Sequence, residues 1–97
     1  MHGIIGKLIA ADNKRDELIE ILIAGSKDMS GCRSYVVAKD ASDENAIWIT
    51  EIWDTRENHE AALALESVQQ AIAAGKPLIS GFGERFETSP VGGHGLP

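Results

Sequence analysis

Short apolar runs and amphipathic segments alternate along this chain, and their periods predict its elements. Gly3 to Ala11 carries Ile4, Ile5, Leu8 and Ile9 in a compact run and reads as a first strand. At Asp12–Asn13 the pattern changes. Either side chain can cap a helix, and Asp16 and Glu17 suit the positive end of its dipole. Leu18, Ile21 and Leu22 then fall at the helical period, and Gly25 offers a left-handed stop, so a first helix is expected from about Lys14 to Ala24. Ser26 to Gly31 is a polar loop. Cys32 to Ala38, with Tyr35, Val36 and Val37, favours a strand. Lys39 to Asn45 (KDASDEN) is dense in turn formers and leads into Ala46 to Trp53, rich in isoleucine and tryptophan; the two strands read as an antiparallel hairpin.

Asp54 or Thr55 can cap a second helix, with Asn58 in its first turn. An apolar stripe from Ala61 through Ile72 carries that helix to about Ala74, with a break expected near Glu66–Ser67, and Gly75 and Pro77 end it. Ile79 to Thr88 forms the last strand. Phe82 and Phe86, four apart, are expected on one face of it, while Gly81 and Gly83 suggest a bulge. The tail from about 89 to 97 is Gly/Pro-rich and reads as irregular. The order β-α-β-β-α-β predicts a single ferredoxin-like α+β domain over 1–97, a four-stranded antiparallel sheet with both helices on one face.

Ala46–Trp53 is apolar on both faces: Ile47, Ile49 and Trp53 on one, Trp48 and Ile52 on the other. A half-exposed strand should alternate between apolar and polar, so both faces of this one call for cover. Two helices shield only one side. A homodimer formed through the open sheet face is the simplest answer, because a domain of 97 residues buries only about two-thirds of its unfolded surface.

Charge and cysteine content narrow the function classes. A formal net charge of −6 works against binding to nucleic acid or to an anionic membrane surface. The single cysteine, Cys32, excludes a disulfide framework and a Cys-rich zinc site. No apolar run approaches the ~18 residues of a membrane span, no signal peptide is read, and a cytoplasmic protein is expected. His2, His59 and His94 are widely spaced, so no metal site is read. Phosphate loops, serine-hydrolase elbows and Cys-x-x-Cys pairs are absent from the sequence.

From Glu51–Ile52–Trp53 through Ile79 (EIWDTRENHEAALALESVQQAIAAGKPLI) the chain resembles the antibiotic biosynthesis monooxygenase family, as do its opening (GIIGKLIAADNKRDELIEIL) and its tail (ETSPVGGHGLP). The resemblance rests on the order of elements, with Glu51, Trp53 and His59 in register. It implies a dimeric α/β barrel in which two sheets face one another, with a pocket in each protomer between sheet and helices. It also implies oxidation of quinol-like or polyketide aromatic compounds by dioxygen, mostly without metal or flavin. The family's haem-degrading branch uses an Asn, a Trp and a His. Gly6, about Ala62 and about Ile72 occupy those places here, so the resemblance does not extend to haem breakdown.

His59, just after the strand end, is the candidate catalytic base for a phenol or quinol hydroxyl; its plainer role is a helix histidine with a local hydrogen bond. Trp53 would wall the pocket for a planar substrate or serve as a core tryptophan. Tyr35 and Asn58 are the candidate orienting groups, against simple packing and helix capping respectively. Glu51, on the face of Trp53, needs a partner, and Arg33 or Arg85 are the expected ones. His94 lies in the tail with no role assigned. These readings converge on a cofactor-independent monooxygenase acting on a small aromatic, quinol-type or polyketide-like compound. The alternative is a non-catalytic binding or interaction module on the same dimeric fold.

Overall fold

The computed structural model describes residues 1–96. The elements run β1 (His2–Ala10), α1 (Arg15–Gly25), β2 (Cys32–Lys39), β3 (Ala46–Trp53), α2 (Arg56–Ala62), α3 (Glu66–Gly75), a 3₁₀ turn (Lys76–Leu78) and β4 (Ile79–Thr88). The strands form one antiparallel sheet in the order β2-β3-β1-β4. This is the expected ferredoxin-like α+β arrangement, with one refinement. The second helical segment is two helices, separated at Leu63–Leu65 rather than at Glu66–Ser67.

The core lies between the helices and one face of the sheet. Leu18 of α1 and Ile47 of β3 are fully buried and pack with Ala10 and Ile49; Leu8, Leu22, Tyr35, Val37 and Ile79 surround them. Each such fully buried aliphatic side chain contributes about 1.5–3 kcal/mol. Strand alternation sends Ile47, Ile49, Glu51 and Trp53 towards the helices and Trp48, Thr50 and Ile52 to the opposite face. That opposite face also carries Ile5, Val36 and Phe86, the last two about half exposed. Trp48 is tied down there by donating its indole N–H to Asp40 Oδ2 at 2.7 Å, with the Lys7 ammonium 5.5 Å from its ring.

The local signals that fail do so for identifiable reasons. Neither Asp12 nor Asn13 caps α1. Lys14 holds the cap position without a side-chain bond, Asn13 turns left-handed at φ 65°, and Asp12 accepts from the side-chain amide of Asn45. Gly25 does not terminate α1 in a left-handed conformation either. It stays in the helix, where a Cβ would stand 2.4 Å from the Ala71 Cβ, so its lack of a side chain sets the close approach of α1 and α3. Thr55 caps α2 as expected, accepting from the Asn58 backbone N–H at 3.1 Å.

Phe82 and Phe86 do not share a face. Between Gly6 and Leu8 of β1 the partner strand advances by three residues, from Arg85 to Phe82, and this extra residue inverts the alternation. Phe86 pairs with Ile5 on the open face, whereas Phe82 pairs with Leu8 on the helix face. After Thr88 the described chain adopts no further helix or strand. Among the described residues, no helix is long and apolar enough to cross a membrane.

Candidate functional site

A cavity of about 330 Å³ lies between the sheet and the helices, a volume at the lower end of the range for small-molecule sites. Its walls are mostly aliphatic, from Leu8, Leu22, Met29, Val68 and Ile72, with Phe82 at the rim. Its polar groups are few. Glu51, His59 and Tyr35 come from three different elements, and Lys76 opens the 3₁₀ turn.

β3 and α2 bring Glu51 and His59 together. The strand points Glu51 and Trp53 to the helix side, and the Thr55 cap starts α2 directly behind them, so His59 folds back over the strand end. His59 Nε2 stands 3.9 Å from Glu51 Oε1, and both side chains are largely withdrawn from water. The same carboxylate oxygen accepts the Trp53 indole N–H at 3.0 Å. The His59 ring meets the Trp53 ring edge-on at 5.3 Å. Neither Arg33 nor Arg85 partners Glu51: Arg33 pairs with Asp54, and Arg85 lies 3.6 Å from Glu87. A carboxylate so placed can hold an adjacent imidazole in orientation and stabilise it once protonated.

Tyr35 stands opposite Glu51 in the β2–β3 register and lines the same cavity. Burial, reinforced by the negative charge of Glu51, raises the phenol well above its ordinary value. It therefore stays a neutral O–H donor across the physiological range. Burial likewise pushes the Cys32 thiol up, against the action of its bond to the Ser34 carbonyl. That is the opposite of what a reactive cysteine requires.

Trp53 lines the cavity but is only 1% exposed. Its indole serves Glu51 as a donor and presents little free face for stacking. Asn58 is not among the lining residues. Its Oδ1 accepts the Thr55 hydroxyl at 2.8 Å, and its side chain packs on Gly31, so it belongs to the helix start. His94 is also outside the cavity lining. Two features escaped the sequence reading. The Glu51–His59 pair spans eight positions across a strand-to-helix turn, a spacing with no local signature, and Phe82 reaches the cavity only through the bulge. Among the described residues, no group of three or more His, Cys, Asp or Glu side chains is placed to hold a metal ion.

The family model described as antibiotic biosynthesis monooxygenase matches residues 1–74. A crystal structure from Chloroflexus aurantiacus J-10-fl, carrying the same family designation, is 56% identical. It covers 99% of this chain and 98% of its own, with a TM-score of 0.96. A second, from Deinococcus radiodurans, is 30% identical over 96% of this chain and 95% of its own, with a TM-score of 0.79. A third, from Caulobacter crescentus CB15, shares the fold alone at 16% identity and a TM-score of 0.85, covering 94% of this chain and 90% of that one. No curated protein matches the chain. The family model and the first two structures span most of the chain, and the chain belongs to the antibiotic biosynthesis monooxygenase family.

Proposed function

We propose that this protein is a cofactor-independent monooxygenase acting on a small, largely apolar aromatic compound bearing a quinol or phenol hydroxyl. The observation that carries this reading is the Glu51–His59 pair set into an otherwise aliphatic cavity. His59 removes the hydroxyl proton, Glu51 stabilises the imidazolium, and the neutral Tyr35 phenol donates to a substrate oxygen. The resulting anion is electron-rich enough to give electrons to dioxygen. For a quinol, one oxygen atom enters the ring as a hydroxyl in place of hydrogen and the other leaves as water. The substrate becomes a hydroxyquinone and supplies all four electrons, so the stoichiometry calls for no flavin or metal. Membership of the family supports the monooxygenase class.

Oxygen uptake with a panel of hydroquinones tests the proposal. The wild-type protein turns over at least one of them, and His59→Ala lowers that rate about 10²–10⁴-fold, the usual contribution of a general base. Equal rates in both proteins, or none in either, overturn it.

A second reading, a non-catalytic binding module, is favoured by the 3.9 Å separation of His59 and Glu51, longer than a hydrogen bond. Mass analysis of compounds that raise the melting temperature separates the two, because a module returns its ligand unchanged.

We also propose a homodimer through the open sheet face, where Ile5, Val36, Trp48, Ile52 and Phe86 give a second copy an apolar surface to cover. Light scattering at micromolar concentration is expected to give twice the monomer mass of 10.4 kDa.

A further inference from the structure

His59 has a second neighbour that its role as a base leaves unused. The His2 ring lies 6.1 Å from the His59 ring, centroid to centroid, tilted by 42°. His2 is 9% exposed and stands opposite Trp53 in the β1–β3 register, so β1 holds it against the strand end that carries the site. Its Nε2 faces Glu87 Oε1 of β4 at 3.8 Å. That carboxylate is 42% exposed, and the guanidinium groups of Arg56 and Arg85 each approach it to 3.6 Å. Two imidazoles and two carboxylates thus neighbour one another in turn, Glu51, His59, His2 and Glu87, the first lining the cavity and the last 42% exposed.

We propose that His2 relays the substrate proton from His59 to solvent at Glu87. A base enclosed in a largely aliphatic cavity can exchange its proton with solvent only through polar neighbours, and the cavity offers few. The relay moves one proton and no electrons: outwards when the substrate hydroxyl is deprotonated, and back inwards when the second oxygen atom leaves as water, so a quinol turnover releases no net proton. His59 gains the proton of the substrate hydroxyl and gives it up towards His2. The His2 imidazolium is then stabilised by Glu87, and bulk water at the exposed carboxylate removes the proton. At these separations a single water can bridge each step. His2 itself neighbours His59 on α2 and Glu87 on β4; Glu51 on β3 stands beside His59, and Arg56 on α2 and Arg85 on β4 stand beside Glu87 at the outer end of the relay.

The inference rests on His59 acting as a base, and its test is built to fail separately from that reading. Proton NMR follows the ring Cε1–H signals of His2 and His59 against pH in the wild type and in His2→Phe, His2→Gln and Glu87→Gln. Coupled imidazoles impose a second inflection on one another. The His59 curve is expected to carry one in the wild type and in Glu87→Gln, and to lose it in both His2 variants. A His59 curve unchanged by both His2 substitutions overturns the relay, whether or not any quinol is turned over. With a turned-over quinol, His2→Phe lowers kcat with KM retained, and added imidazole restores the rate, which a structural defect would not allow. Failure of imidazole to restore it also overturns the relay.

Discussion

Trp53 donates its indole N–H to Glu51 Oε1 at 3.0 Å from two positions further along the same strand. A largely buried carboxylate is costly unless it is hydrogen-bonded, so this bond is part of what lets Glu51 remain beside His59. Trp53→Phe keeps an aromatic ring in the core but removes the donor. The expected loss is about 1–3 kcal/mol, measured by urea unfolding. Adding Glu51→Gln to that variant removes the stranded charge, and the double mutant should be more stable than the sum of the two single effects predicts.

Glu51→Gln alone keeps the shape of the site and abolishes its charge. If the 3.9 Å separation closes to a hydrogen bond once His59 is protonated, losing that bond to a charged group costs about 1.5–3 kcal/mol. At 1.4 kcal/mol per decade this is roughly a ten- to hundredfold fall in kcat of the oxygen-uptake reaction. His59→Ala should cost more, because it deletes the proposed base itself.

Tyr35 makes an alkaline prediction with a definite sign. Its folded-state pKa lies above the unfolded value near 10, raised first by burial and then by Glu51. The stabilisation is therefore complete below about pH 10 and is lost as the pH rises beyond it, where only the unfolded chain releases the proton. Tyr35 is the only tyrosine, so tyrosinate absorbance reports on it alone. That signal should appear together with unfolding rather than before it, and Tyr35→Phe should flatten the alkaline loss of stability.

The parts of the molecule legible in the sequence are those fixed by local period. Ala46–Trp53 announces itself as a strand with two apolar faces, and its face assignments hold residue by residue. β4 was legible in extent but not in alternation, because a bulge is a pairing event between strands and the glycines that suggest one do not say where it lies. This displaced Phe82 from the expected face. The sequence shows that Glu51 needs a partner, and opposite charge makes an arginine the simplest expectation. The structure uses an indole N–H and an imidazole, brought into reach by the turn at Asp54–Thr55. The packing of Asn58 on Gly31 depends on a tertiary contact that no local pattern shows.

On the acid side, Asp40 accepts from the backbone N–H groups of Asp43 and Ser42 and from the Trp48 indole. These bonds, the backbone ones foremost, hold its carboxyl down to about 2 from an ordinary 3.8. Its contribution is present above the ordinary value and is lost as the pH falls through that range towards 2. Asp40→Asn should reduce the loss of stability between about pH 4 and 2. It should also alter the Trp48 fluorescence, read in a Trp53→Phe background.

Gly31 makes the sharpest backbone prediction. It sits at φ +81°, in the left-handed region that costs other residues about 1–2 kcal/mol. A Cβ there would also stand 2.3 Å from the Asn58 Cγ, a contact that forces something to move. The carbonyl of Gly31 accepts from the Asp54 N–H at 2.8 Å, so any shift is passed to the turn that launches α2 and places His59. Gly31→Ala should therefore destabilise by more than the backbone cost alone. Gly31→Ala with Asn58→Ala should recover only part of the steric cost, because the Cβ at position 58 would still stand 2.7 Å from the new one. Urea unfolding of the three variants separates the contributions. If Gly31→Ala proves no worse in the presence of Asn58 than in its absence, packing of Asn58 on Gly31 does not position α2.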